Sequence, residues 1–352
     1  MQYRPLGRTG FMVSEIGFGG WGIGGDGWIG AKDEESRAAL REAADRGINL
    51  FDTALMYGRG HSEALIGQIA RADRSRIYVA TKIPPIDSSA RAGERLTDYF
   101  PERHVVASTE QSLRNLRLEW IDLMQLHAWR DEWFDDLSWL QTLKKLKDQG
   151  KIRAIGVSLN NYDPDSGLRL VRSGLIDAVQ VIYNIFDPSP AQALFPACAQ
   201  HGVGILVRCP FDEGGLTGEI KPDTTFPRWD FRNTYFGGQR KCEVNQRVKE
   251  LQSLLGTEAQ AMPELALRYC LTPNAVTTVL AGMRTVAHVR ENAAVSDGRL
   301  LSEDAMRQLT AHAWKRDFYA ADSSDFVGRM FQRVKPFMPR WLIAWAKRLI
   351  QK

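Results

Sequence analysis

From residue 15 to residue 295 the chain alternates short, almost wholly apolar runs with longer stretches whose apolar positions recur every three to four residues. The short runs are EIGFGG (15–20), INLFDT (48–53), RIYVATKI (76–83), IDLMQLH (121–127), KIRAIGVS (151–158), IDAVQVIYN (176–184), VGILVRC (203–209) and AVTTVLAG (275–282). They are nearly continuous in hydrophobicity, as parallel strands buried on both faces are. The longer stretches predict helices. ESRAALREAADRG (35–47) puts Ala39, Leu40 and Ala43 on one face, and HSEALIGQIA (61–70) follows the second strand. PERHVVASTEQSLRNL (101–116) opens on a proline, where a missing N–H costs little. FDDLSWLQTLKKLKDQG (134–150) closes on Gly150. Further helices are predicted at 165–174, 190–202, around 241–256, at 261–271 and at 286–295.

Eight strand–helix units over about 300 residues point to an α/β protein with a closed (β/α)8 TIM barrel. The rival is a doubly wound sheet, which carries G-x-G-x-x-G between its first strand and first helix. Here GFGGWGIGGDGWIGAKD (17–33) is rich in glycine but enters no helix at that spacing, so it reads as a long loop. YRPLGRTGFMVS (3–14) predicts an N-terminal β-hairpin that plugs the base of the barrel. Two stretches leave the repeat. Residues 210–239 form a long loop rich in glycine, proline and aromatics, and such loops are usually functional. The second is an extended C-terminal tail, so the expected division is a barrel over 1–315 and an extension over 316–352.

Composition adds little to the fold but narrows the function. The content of 44% hydrophobic and 25% charged residues is that of an ordinary globular chain. Four widely separated cysteines (Cys198, Cys209, Cys242, Cys270) suit neither zinc nor a disulfide framework and fit a reducing, cytoplasmic setting. No basic-then-apolar leader opens the chain, and no apolar run reaches the length of a membrane span. From residue 328 onward there are seven basic residues and no acid. Subtracting those seven from the net +4 leaves −3 for the rest, which carries no nucleic-acid footprint.

Catalytic groups of such barrels gather at the C-terminal ends of the strands. Read there, the strands offer Asp52, with Tyr57 on the following loop, then Lys82, His127, Ser158, Gln180 and Arg208. Singly, each has an ordinary explanation: a cap, a packed ring, a snorkelling lysine, a core histidine. Together, Asp52, Tyr57, Lys82 and His127 form an acid–base set. A tyrosine near pKa 10 is a poor acid until an adjacent ammonium favours tyrosinate, and an aspartate holds that ammonium charged. A histidine orients the substrate oxygen, so the set suits protonation of an alkoxide as it forms.

On these residues, with FDTALMYGRGHSEALIG (51–67), SLRNLRLEWIDLMQLHAW (112–129) and AGMRTVAHVRENAAV (281–295), the chain resembles the aldo-keto reductase family over roughly residues 2–315. The resemblance implies Tyr57 as proton donor, Lys82 and Asp52 as its tuning pair, and His127 as substrate orienter. It also implies a nicotinamide cofactor, NADP(H) with NAD(H) possible, and a small carbonyl or alcohol substrate. Gly20 and Trp21 after the first strand, Asp52, Ser158 and Gln180 would lie at the nicotinamide. Arg208 stands where the family often has a stacking tyrosine, and Leu159 stands where it commonly has an asparagine, with Asn160 one place further. A guanidinium there could stack on the ring, disfavouring its oxidised, cationic form, or pair with Asp212 or Glu213. Pro210, Phe211, Gly214, Leu216 and Gly218 would form the pyrophosphate loop, with backbone N–H groups toward phosphate oxygens. Gly282, Met283 and Arg284 open a helix, where an anion is favoured, and Arg284 would meet a 2′-phosphate. His288, Glu291 and Asn292 follow toward the adenine.

The candidate substrate pocket is rich in aromatics, with Trp21 and Trp28 on the first loop, Trp129 after His127, and Trp229, Phe231, Tyr235 and Phe236 on the long loop. Trp28 and Trp129, beside Tyr57 and His127, would meet the substrate, which suggests a flat or apolar carbonyl compound. The tail, as a helix from about residue 339, would place Leu342, Trp345, Ala346 and Leu349 on one face; it could pack on the barrel, associate with a second copy or lie weakly on an anionic membrane. Two other functions share the fold and cofactor: a redox-sensing or regulatory subunit with little turnover, and a redox-neutral enzyme that retains NADP.

Overall fold

The computed structural model describes residues 1–86 and 95–314, and eight of its ten strands close into one parallel barrel. The first two, β1 (Tyr3–Pro5) and β2 (Met12–Ser14), form the antiparallel hairpin. The barrel runs in chain order: β3 (Ile16–Gly19), β4 (Leu50–Asp52), β5 (Tyr78–Ile83), β6 (Ile121–Leu126), β7 (Ile152–Ser158), β8 (Ala178–Ile182), β9 (Gly204–Arg208) and β10 (Thr278–Gly282). Strand β10 returns to pair with β3, Val279 opposite Ile16. The near-continuous apolar runs have the expected cause, because every residue of β4, β6 and β8 is buried.

Helices α1 (Asp33–Asp45), α2 (His61–Ala72), α3 (Leu96–Tyr99), α4 (Glu102–Leu116), α5 (Ser138–Asp148), α6 (Leu168–Arg172) and α7 (Leu194–His201) connect the strands up to β9. The long segment after β9 holds α8 (Arg232–Tyr235), α9 (Arg240–Leu251) and α10 (Met262–Leu271); α11 (Val286–Ala294) and α12 (Glu303–Thr310) follow β10. Four predicted helices are clearly shorter than their periodicity: 134–150 is α-helical only over Ser138–Asp148 and 190–202 only over Leu194–His201. The stretch 165–174 is helical in the α sense only from Leu168, after a 3-10 turn, and the one around 241–256 stops as α9 at Leu251.

The hairpin does close the barrel base. Leu6, Phe11 and Val13 are buried against the inward residues Leu50, Ala80, Leu123, Ala154, Ala178, Leu206 and Leu280, one or more from most strands. Gly7 between β1 and β2 is needed for this approach: its φ is +52°, and a Cβ would stand 2.5 Å from the Gly204 nitrogen. Apolar side chains thus fill one end of the barrel, and the polar groups stand at the other. Asp52, Lys82, Ser158 and Arg208 each lie at or near the C-terminal end of a strand, with Lys82 opposite Gln125 and Ser158 opposite Gln180. The proposed tail and its helix lie outside the described residues.

Candidate active site

Lys82 is fully buried in β5, and its ammonium is the hub of the site. Nζ donates to Asp52 Oδ2 at 2.6 Å, to the Thr53 carbonyl at 2.7 Å and to Tyr57 Oη at 3.5 Å. Asp52 ends β4, and its second oxygen accepts from Gln180 Nε2 at 2.8 Å and Gln125 Nε2 at 3.5 Å. Tyr57 opens a short turn after β4 in which Gly58, Arg59 and Gly60 all take positive φ. That turn brings the phenol back over Lys82, whose ammonium is 5.0 Å from the ring centroid. His127, directly after β6, meets the Tyr57 ring edge to face at 5.9 Å. The four residues predicted as one acid–base set therefore meet at one point.

Burial dominates their electrostatics. It lowers the Lys82 pKa, opposed by the Asp52 charge and hydrogen bond. It also holds His127 well below the usual imidazole range, helped by the Lys82 and Arg208 charges, so the ring is neutral. His127 Nδ1 is buried without a protein hydrogen-bond partner. For Tyr57 the net direction is the reverse of the sequence expectation. Burial and then the Asp52 charge raise its pKa well above 10, with Arg208 as the opposing cation. The physical reason is that desolvation of a phenolate outweighs one ammonium whose closest partner is a carboxylate.

The residues expected at a nicotinamide divide. Ser158 and Gln180 lie side by side at the ends of β7 and β8, although Gln180 is already bonded to Asp52. Leu159 is buried, and the Asn160 amide clamps the Trp129 backbone, giving to the carbonyl at 2.6 Å and accepting from the N–H at 3.3 Å. Arg208 donates to the Leu159 carbonyl at 3.2 Å and to Asn161 Oδ1 at 2.6 Å. Asp212 instead accepts from Tyr235 Oη and from Arg240, and burial pushes its carboxyl up to about 7. Gly20 is buried, and a Cβ there would lie 2.7 Å from the Asp52 carbonyl oxygen, so close packing beside β4 and α2 requires a glycine at this position.

In the loop after β9, Asp212, Glu213, Gly214 and Gly218 all have positive φ, a backbone turn of the kind that gathers N–H groups around an anion. Pro210 and Leu216 are buried there and offer backbone only, while Phe211 and Gly214 are half-buried. After β10, Gly282 is exposed with open space around it, but the Met283 side chain is fully buried. Thr285, unremarked in the sequence, caps α11 by accepting from the His288 N–H. Arg284 is half-buried with its guanidinium on the Ile29 carbonyl at 3.2 Å, and its N–H lies 3.4 Å from His288 Nδ1. Glu291 is exposed on α11 and Asn292 is buried. Hydrogen-bonding groups thus stand at the ends of β7 and β8, in the loop after β9 and at the start of α11, a set whose chemistry fits a nucleotide.

An aromatic wall stands over Tyr57. Trp21 stacks on the phenol at 6.2 Å and meets Trp28 at 6.1 Å and Phe231 at 5.1 Å. Trp129 is not part of it. Its ring is fully buried against Trp133 and Trp139 and its indole N–H donates to the Ser166 carbonyl, so it has no surface for a substrate. Three contributors escaped the sequence reading: Gln125 beside Asp52, Asn161 under Arg208, and Asp230. Asp230 accepts from the Ile29 N–H at 3.0 Å and from both ends of Arg232, whose guanidinium covers Trp28. It thereby ties residues 226–235 to the loop after β3. Only the alternation of Arg and aromatic residues in this stretch hints at such a contact.

A closed barrel with these four groups at its mouth defines a barrel protein with an acid–base site at its strand ends. The model of the Aldo/keto reductase family matches residues 15–313, and the chain belongs to this family of oxidoreductases. The aldo-keto reductase YhdN of Bacillus subtilis is 31% identical over 309 residues, covering 86% of this chain and 91% of that protein. The NADH-specific methylglyoxal reductase of Escherichia coli is 30% identical, over 88% of this chain and 98% of its own. Among solved structures, the glycerol dehydrogenase AKR11B4 from Gluconobacter oxydans superposes with a TM-score of 0.73 at 26% identity, over 90% of this chain and 97% of that one.

Proposed function

We propose that the protein is a nicotinamide-dependent carbonyl reductase in which Tyr57 is the proton donor. The observation that carries this is the chain of contacts Asp52–Lys82–Tyr57, with His127 against the same phenol. Ser158, Gln180, the loop after β9 and the start of α11 would hold a nicotinamide dinucleotide, which would supply the hydride. Neutral His127 donates its remaining N–H to the carbonyl oxygen and fixes its direction. Tyr57 gives up its proton as that oxygen becomes an alkoxide. Lys82 donates to the tyrosinate left behind, and Asp52 keeps the ammonium charged and aimed. The proton lost by Tyr57 is recovered from solvent, and the reverse sequence oxidises an alcohol.

Arg284 at the start of α11 favours NADP(H), while the NADH-specific relative in Escherichia coli makes NAD(H) the alternative. The wall of Trp21, Trp28 and Phe231 suits a flat or apolar carbonyl compound, and the names of the relatives point to small aldehydes and polyols as first substrates to try. Four free cysteines suit the cytoplasm.

The test is titration of the purified protein with NADPH and NADH by fluorescence, alongside turnover of small and aromatic carbonyls. In Tyr57→Phe, nucleotide affinity should stay within about twofold while kcat falls by about 10²–10⁴. Near-normal turnover of that variant would remove Tyr57 from the mechanism.

A further inference from the structure

Arg208 ends β9, yet its guanidinium does not stay there. It reaches past β8, the strand between, and donates to the Leu159 carbonyl and to Asn161 Oδ1 on the loop after β7. β8 is the strand whose Gln180 holds Asp52, so the guanidinium spans the mouth beside the acid–base set. Its charge reaches that set: among the influences on Tyr57, Lys82 and His127, Arg208 lowers the proton affinity of all three. Potentials add, so the contribution of this one charge exists whatever the neighbouring Cys209 and Glu213 contribute.

In the proposed reaction the hydride carrier must lie close to the carbonyl that Tyr57 and His127 address, hence within reach of the same charge. A nicotinamide ring is a cation when oxidised and neutral when reduced. We infer that Arg208 selects the redox state of the bound nucleotide, holding the oxidised form more weakly relative to the reduced form and so biasing the site toward reduction. The inference rests on the proposed function. It goes beyond that proposal by assigning Arg208 a direction-setting role rather than mere contact.

The measurement is the ratio of the Kd for NADP⁺ to the Kd for NADPH, by calorimetry or fluorescence without substrate. Arg208→Gln and Arg208→Met, two neutral replacements at a half-buried position, should lower the ratio about tenfold, the order one charge about 12 Å away exerts at an effective dielectric constant near 20. Arg208→Lys should retain most of the original ratio. An unchanged ratio in the neutral variants, or equal weakening of both nucleotides, would overturn the inference and leave the reductase reading standing. Absence of nucleotide binding by the unaltered protein would overturn both.

Discussion

At the scale of single residues, the site is governed by what burial does to three titratable groups. His127 is neutral because an imidazolium would be desolvated beside two cations, and Tyr57 stays protonated because a phenolate would be desolvated beside Asp52. The pH dependence follows with its sign. In the proposed mechanism, reduction needs a neutral imidazole and a protonated phenol and oxidation needs the phenolate; the neutral imidazole is present above its depressed pKa and the protonated phenol below its raised one, so kcat for reduction should be flat from about pH 7 to 9. Alcohol oxidation needs the phenolate as base, so its rate should still be climbing at pH 9. Stopped-flow rates in both directions check this, and a plateau in oxidation near pH 7 would mean that the bound reactants acidify Tyr57 far more than the free site does. The sequence made the four residues legible because Asp52, Lys82 and His127 stand at or next to the ends of apolar runs and Tyr57 follows Asp52 on the next loop. It did not make the sign of the Tyr57 shift legible, because desolvation depends on Trp21 and on the loop after β9, both distant in the chain.

At the scale of elements, two loops do the positioning. The turn after β4 needs left-handed backbone at Gly58 (φ +60°), and a Cβ there would collide with the Gly24 carbonyl of the loop after β3. Gly58→Ala should therefore push the two loops apart, destabilise the protein by about 1–3 kcal/mol and cut kcat at least tenfold. Thermal melts and steady-state kinetics on the same preparation check it. Gly150→Ala is the control, since φ is +75° there but the space is open, and it lies between α5 and the start of β7, away from the mouth. Helices with clear periodicity, such as α1 and α5, were readable to within a few residues. The partners of Asp230 and Asn160 were not, because a hydrogen bond between loops leaves no period in the sequence. Trp129 shows the same limit: adjacency to His127 placed it in the pocket, while its actual direction is into the Trp133–Trp139 cluster.

At the scale of the whole molecule, stability and chemistry occupy opposite ends of one barrel. The hairpin end is a dry plug in which Phe11 stacks on Tyr78 at 4.9 Å beneath the Arg153 guanidinium. Phe11→Ala should cost about 3–5 kcal/mol of stability, read by urea denaturation, and leave kcat unchanged wherever the variant remains folded. A loss of kcat in the folded variant would mean that the two ends are coupled. No helix among the described residues is long and apolar enough to cross a membrane.

The amino-acid order alone determined the number and sequence of strands, the parallel barrel and the four acid–base residues. These depend on local hydrophobic periodicity and on the rule that strand ends converge. The folded chain decided which side chains share a hydrogen bond, which aromatic rings stack over Tyr57, how closely Gly20 packs on β4, and where Arg208 points. Those outcomes turn on distances between segments far apart in the chain, such as the 2.8 Å from Gln180 to Asp52, and closure of the barrel is what sets them.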